Sequence, residues 1–75
     1  MPDAFDSNCH LLNAKILAKR FVASLGNGYA YVSPYNNCVN EIKLAQKANP
    51  ENMGVITLAQ ALNARLPRPP TTAKK

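Results

Sequence analysis

The sequence predicts a mostly α fold: a small three-helix domain with one short extended segment and a disordered, proline-rich basic tail at the C terminus. Three stretches of the chain repeat their apolar residues with the 3.6-residue period of an amphipathic helix. Each stretch is followed within two residues by glycine or proline, which interrupt helices. A chain of 75 residues has room for one domain, which we expect over 1–66, with the tail over 67–75.

The first helix is expected over 8–25. Ser7 precedes this stretch and is a residue type that caps helix N termini through its hydroxyl oxygen. Gly26 follows the stretch, and glycine readily adopts the left-handed backbone conformation at which many helices end. The apolar stripe between these two residues consists of Leu11, Ala14, Ala18, Phe21, Val22 and Leu25.

The short extended segment is expected over 29–33. It contains two tyrosines and a valine, which are frequent in strands, and Pro34 disfavours helical backbone at the residue before it. Asn27-Gly28 also favours a tight hairpin turn, so a β-hairpin over 20–33 is the alternative. We prefer a helix followed by an extended segment, because the first apolar stripe continues unbroken to its end.

The second helix is expected over 36–48 and the third over 54–66. The second stripe ends just before Asn49 and Pro50, where a helix is expected to stop. Its apolar residues are Tyr35, Cys38, Val39, Ile42 and Ala45. The third stripe consists of Val55, Leu58, Ala59, Leu62 and Leu66. Three prolines in the next four residues exclude a continuing helix, which predicts the tail.

The net charge of +5 is unevenly distributed along the chain. Residues 67–75 carry +3 of it, through Arg68 and two lysines, and residues 1–66 carry only +2. A basic chain favours acidic partners such as nucleic acid. Because more than half of this charge lies in the tail, it is weak evidence for a nucleic-acid-binding surface on the domain.

The residues of this chain predict neither catalysis nor a metal site. Asp3 and Asp6 precede the expected first helix, and neither Glu41 nor Glu51 has a second carboxylate on its helical face. Cys9 and His10 are adjacent, and adjacent side chains on a helix diverge by about 100°. With Cys38 they would make three ligands, one fewer than a zinc site requires. We therefore expect a non-enzymatic protein without cofactor or metal. Two reduced, buried thiols are favoured for Cys9 and Cys38, and one disulfide between them is the alternative.

The start of the chain lacks the apolar core of a signal peptide, and no apolar run is long enough to cross a membrane. These features predict a cytoplasmic protein without a membrane partner.

A second apolar row on the first helix is the main candidate for a binding surface. Leu12 and Ile16 are four residues apart and lie on the side of the helix away from its main stripe. Two flanking helices cannot easily cover both sides. Lys15, Lys19 and Arg20 border this row and would steer a partner towards it.

The extended segment supports the same hypothesis, because it has no partner strand within the chain. If the segment pairs with a strand of another protein, Tyr29 and Tyr31 could contact that protein. We therefore expect a small basic protein-interaction module that docks on another protein or on its own copy. Its length is typical of accessory or inhibitory proteins of phages and plasmids.

The alternative is a nucleic-acid-binding regulator with a helix-turn-helix-like unit formed by the second and third helices. The third helix would present polar side chains that can contact base edges: Thr57, Gln60 and Asn63. Four basic residues would contact phosphates or single-stranded nucleic acid: Lys43, Lys47, Arg65 and Arg68.

Overall fold

A computed structural model describes residues 2–65, which form three helices: α1 (Ala4–Ser24), α2 (Val32–Ala48) and α3 (Met53–Arg65). The predicted mostly helical class and the number of helices are confirmed for this part of the chain. The predicted tail over 67–75, with Arg68, lies outside the described residues, as does Leu66 at the predicted end of the third helix.

The first helix begins four residues earlier than predicted, because Asp3 and not Ser7 caps it. The Asp3 carboxylate accepts a hydrogen bond from the backbone N–H of Asp6 at 2.9 Å. The backbone N–H of Asp3 donates to the carbonyl oxygen of Ala48 at 2.8 Å, which ties the start of α1 to the end of α2. Ser7 lies inside α1 and is fully buried.

The predicted extended segment over 29–33 is wrong. The backbone turns there, and the N–H of Val32 donates to the carbonyl oxygen of Tyr29 at 3.1 Å. Pro34 does not prevent α2 from starting at Val32, because it falls in the first turn, where a helix needs no N–H donor. Residues 2–65 contain no strand.

The alternative hairpin over 20–33 is also wrong, because α1 continues to Ser24. Gly26 has a φ of +92°, so the predicted left-handed residue after the first helix is confirmed. The chain then turns back within seven residues to begin α2.

The first two helices form an antiparallel pair. The Ser7 hydroxyl bonds to α2 near its end, the Ala14 carbonyl accepts from Cys38 near its middle, and Phe21 packs against Tyr31 just before its start. Buried residues of all three helices form one core: Leu11, Ala14, Phe21, Cys38, Ile42, Ala45, Val55 and Leu62. This pairing buries one side of α1 against α2.

The third helix covers this pair and runs in the same direction as α1. Its start lies against Leu11, where a Cβ on Gly54 would approach the Leu11 Cδ2 atom to 2.7 Å. Its later residues Leu58 and Leu62 line a groove with Phe21. Within residues 2–65, no helix has both the length and the apolar character needed to cross a bilayer.

Candidate interaction surface on α1

The helix α1 is apolar on two opposite sides. Leu11, Ala14 and Phe21 on one side are buried in the core. On the other side, Leu12 is 60% exposed and Ile16 is 51% exposed. We define the outer face of α1 as the six exposed residues on this second side: Phe5, Cys9, Leu12, Ile16, Lys19 and Ala23.

Phe5 is the residue of this face that the sequence analysis missed. Its side chain is 80% exposed, and it lies seven residues before Leu12, two helical turns away on the same side. The missed helix start explains the omission, since a helix capped by Ser7 leaves Phe5 in a loop. Aspartate caps helices as well as serine does, so Asp3 was the available signal.

Both long edges of the outer face carry polar or charged side chains. On the edge towards α2, Arg20 lines a shallow depression with Asn13, Ile16 and Glu41. On the edge towards α3, Lys19 lines a groove of about 310 Å³ with Val22, Leu58 and Arg65, among others. The predicted border residues Lys15, Lys19 and Arg20 are all exposed.

The two predicted tyrosines, Tyr29 and Tyr31, do not form a continuous surface with the outer face. Tyr29 is 82% exposed in the connection between α1 and α2. Tyr31 is half-buried and packs edge-on against Phe21, with ring centroids 6.1 Å apart. Because Phe21 lies on the inner side of α1, Tyr31 belongs to the core end of the helix pair and not to the face that carries Leu12.

The residues of the nucleic-acid hypothesis are divided between two sides of α3. Asn63 and Lys43 line a groove between α2 and α3. Arg65 instead lines the groove between α3 and α1, beside Lys19. Three further residues of this hypothesis are exposed: Thr57, Gln60 and Lys47.

A charged cluster missed by the sequence analysis joins α1 to α2. His10 Nδ1 lies 2.7 Å from Glu41 Oε1, and Asn13 donates to the same oxygen at 3.2 Å. His10 Nε2 lies 3.7 Å from an Asp6 carboxylate oxygen. The hydrogen bond to Glu41, with the two nearby negative charges, raises the pKa of His10, and the bond from His10 lowers the pKa of Glu41. This cluster is one of several contacts that align the two helices, together with the buried hydrogen bonds from Ser7 and Cys38.

The two cysteines occupy different environments and are not joined to each other. Cys9 is exposed on the outer face, whereas Cys38 is buried and its Sγ donates to the carbonyl oxygen of Ala14 at 3.3 Å. Burial raises the pKa of the Cys38 thiol, which keeps it protonated. In the described part of the chain, no group of three His, Cys, Asp or Glu side chains could hold a metal ion.

Comparisons of the chain with protein-family models, with curated proteins and with solved structures found no match.

Proposed function

We propose that this chain is a small non-enzymatic interaction module that docks through the outer face of α1. The supporting observation is the continuous exposed row of Phe5, Leu12 and Ile16 on a helix whose other side already forms the core. Single exposed apolar residues are ordinary on protein surfaces. A row of large apolar side chains on one helical face is instead typical of a protein-protein contact.

The charges around this face support a docking role. Lys15 and Arg20 are exposed at its two edges with the apolar side chains between them, and Lys19 is exposed within the row. Charged residues at the border of an interface accelerate the encounter with a partner and fix its orientation, and apolar residues at the centre supply most of the affinity. A module of this kind would act as an accessory or inhibitory subunit.

The nucleic-acid alternative has less support from the geometry. Its phosphate-binding candidates Lys43 and Arg65 lie on different sides of α3, so they do not form one basic surface with its polar residues. This hypothesis stays a prediction. It requires that the full chain bind labelled duplex DNA or single-stranded RNA at physiological salt. That binding would have to weaken when Lys43 and Lys47 are replaced by glutamate.

Amine-reactive cross-linking of the full chain tests the docking proposal. Lys15 and Lys19 lie at the outer face, whereas Lys43 and Lys47 lie on α2 and serve as internal controls. We expect intermolecular cross-links to concentrate at the two α1 lysines, whether the partner is a second copy or another protein.

The matched variants for this experiment are Leu12→Asp and Thr57→Asp, both at exposed positions. Leu12→Asp is expected to remove the cross-links at α1 while the helical circular dichroism signal is kept. Thr57→Asp on α3 is expected to leave them unchanged. Cross-links that persist in Leu12→Asp, or that concentrate at the α2 lysines, would contradict the proposal.

A further inference from the structure

We infer that the partner of the outer face is a second copy of this chain, with the two α1 helices packed antiparallel. This inference rests on the proposed function, because it requires that the outer face is the docking surface. Two observations support it: the spacing of the outer-face residues along α1, and the order of the charges along one edge of that face.

The outer-face residues are spaced alternately by four and three positions from Phe5 to Ala23. This spacing is the heptad pattern that keeps a row of side chains facing a partner helix along its length. The row extends over about 27 Å of helix, at 1.5 Å per residue. Five of the six positions hold apolar side chains, with Lys19 the exception, and an apolar row at heptad spacing packs best against another helix, which makes a helix the expected occupant.

The edge of the outer face towards α2 carries Asp6, Asn13 and Arg20, each seven residues from the next. When two such helices pack antiparallel, this edge lies against the same edge of the second copy in reverse order. Asp6 then faces Arg20 of the second copy, and Arg20 faces Asp6 of the second copy. Asn13 faces its own counterpart at the centre, so the edge is complementary to itself.

A parallel arrangement has the opposite electrostatic consequence. It brings the two different edges together, so that Lys15 faces Arg20 of the second copy, and like charges repel. The antiparallel arrangement has unfavourable contacts of its own: Lys15 lies against its counterpart on the other edge, and Glu41, which accepts from Asn13, approaches its counterpart at the centre. We therefore expect Lys15→Gln to strengthen association. The same effect is expected for a parallel pair, so this variant tests whether the two copies meet through α1 and not the direction in which the helices run.

The antiparallel register also matches the sizes of the side chains. With Asn13 near the centre, Leu12 lies against Ile16 of the second copy, and Phe5 lies against the small Ala23. Cys9 lies against Lys19, whose long side chain can carry its ammonium group to the solvent. Large residues thus face small or flexible ones at both ends of the row, and the two aliphatic residues meet at its centre.

Disulfide cross-linking tests this register directly. In the antiparallel pair, the variant Lys19→Cys places a new thiol against Cys9 of the second copy. Mild oxidation with copper-phenanthroline then joins the two thiols, which lose two protons and two electrons to dissolved oxygen. We expect a covalent dimer of twice the 8.2 kDa monomer mass. The wild-type chain should not cross-link, because its two Cys9 thiols lie about 15 Å apart along the helices.

The double variant Lys19→Cys/Cys9→Ser is the matched control, and it should also stay uncross-linked. Cross-linking of this control, or of the wild-type chain through Cys9, would show a parallel pair and overturn the inference. Sedimentation velocity should show a concentration-dependent dimer of the reduced wild-type chain. Monomers at every concentration would overturn the inference as well.

Charge reversal tests the edge pairing. Asp6→Lys and Arg20→Glu should each weaken dimerisation by about three- to tenfold, and the two together should restore it. Additive weakening in the double variant would overturn the inference. The docking proposal itself would survive a monomeric chain that cross-links to another protein through the α1 lysines. Both the docking proposal and the dimer would be contradicted if Leu12→Asp had no effect on association with a second copy or with another protein.

Discussion

The side chain of Ser7 connects all three helical segments. Its hydroxyl donates to the carbonyl oxygen of Ala45 on α2 at 2.8 Å and accepts from Asn52, which precedes α3, at 2.9 Å. Asn52 also caps α3, because its side-chain oxygen accepts from the backbone N–H of Gly54 at 3.1 Å. A fully buried hydroxyl with both partners satisfied specifies how the helices meet.

We expect Ser7→Ala to lower the free energy of unfolding by about 1–3 kcal/mol, the ordinary net contribution of the two hydrogen bonds that the hydroxyl makes. Asn52 keeps its second bond to Asn8, and the Ala45 carbonyl keeps its bond from Asn49, so the loss is not larger. Urea denaturation followed by circular dichroism measures it. An unchanged denaturation midpoint would show that the hydroxyl contributes nothing to the fold.

The His10–Glu41 contact predicts a defined dependence of stability on pH. The folded pKa of His10 lies above its ordinary value of 6.5, so its contribution is complete below about pH 6.5 and is lost as pH rises through the folded value. The folded pKa of Glu41 lies below its ordinary value of 4.5, so its contribution is lost as pH falls through that lowered value. The pair therefore stabilises the fold most between about pH 4.5 and 6.5.

We expect His10→Asn to remove the excess stability within this pH range. The measurement is the difference in thermal midpoint between the wild-type chain and the variant, taken from pH 4 to pH 9. That difference should be largest between about pH 4.5 and 6.5 and should shrink at higher pH. A difference that stays constant across the range would show that the ion pair does not form.

The sequence could not indicate these two contacts, for a geometric reason. Ser7 and Ala45 are 38 positions apart, and His10 and Glu41 are 31 apart. Which residues meet over such separations depends on the alignment of α1 with α2, and an apolar stripe alone does not fix that alignment. Gly26 was predictable because its role depends only on the neighbouring backbone.

The two sides of α1 make it the element on which both the fold and the proposed function depend. The neighbouring leucines on this helix show the division clearly. Leu11 is 9% exposed and packs in the core, whereas Leu12 is 60% exposed on the outer face. The helix therefore contributes to folding through one side and leaves the other side available for binding.

We expect Leu11→Ala to cost about 2–5 kcal/mol of stability, the range for truncating a buried leucine. Leu12→Ala should change the stability of the monomer by no more than about 0.5 kcal/mol, as surface substitutions do. Denaturant unfolding at a low chain concentration measures both. Equal losses for the two variants would place Leu12 in the core and contradict the division of α1 into two sides.

The elements differ in how well the sequence predicts them. The three helices follow from apolar periodicity, which is a property of each segment alone. The segment 29–33 was mispredicted because its tyrosines and valine favour strands in general, while this connection must return the chain onto α1. Tyr31 and Tyr35 pack against the buried ring of Phe21 where the chain turns back onto α1. Tertiary packing therefore outweighs local strand propensity at this turn.

Taken together, the described residues form a thin three-helix domain with one core and one uncovered apolar face. Only eight apolar residues are buried in residues 2–65. A domain with such a small core gains stability when association buries more apolar surface. Pairing of two copies through α1 would bury both outer faces in a second apolar contact.

The reactivity of Cys9 tests the pairing of two copies through the outer face most directly, because its thiol lies on that face. The measurement is the rate of its alkylation by iodoacetamide over a range of chain concentrations. Buried Cys38 reports whether the fold stays intact, since it should react only after denaturation. We predict that Cys9 reacts more slowly as the concentration rises, and that Leu12→Asp abolishes this protection. A rate that is the same at every concentration would contradict burial of this face between two copies.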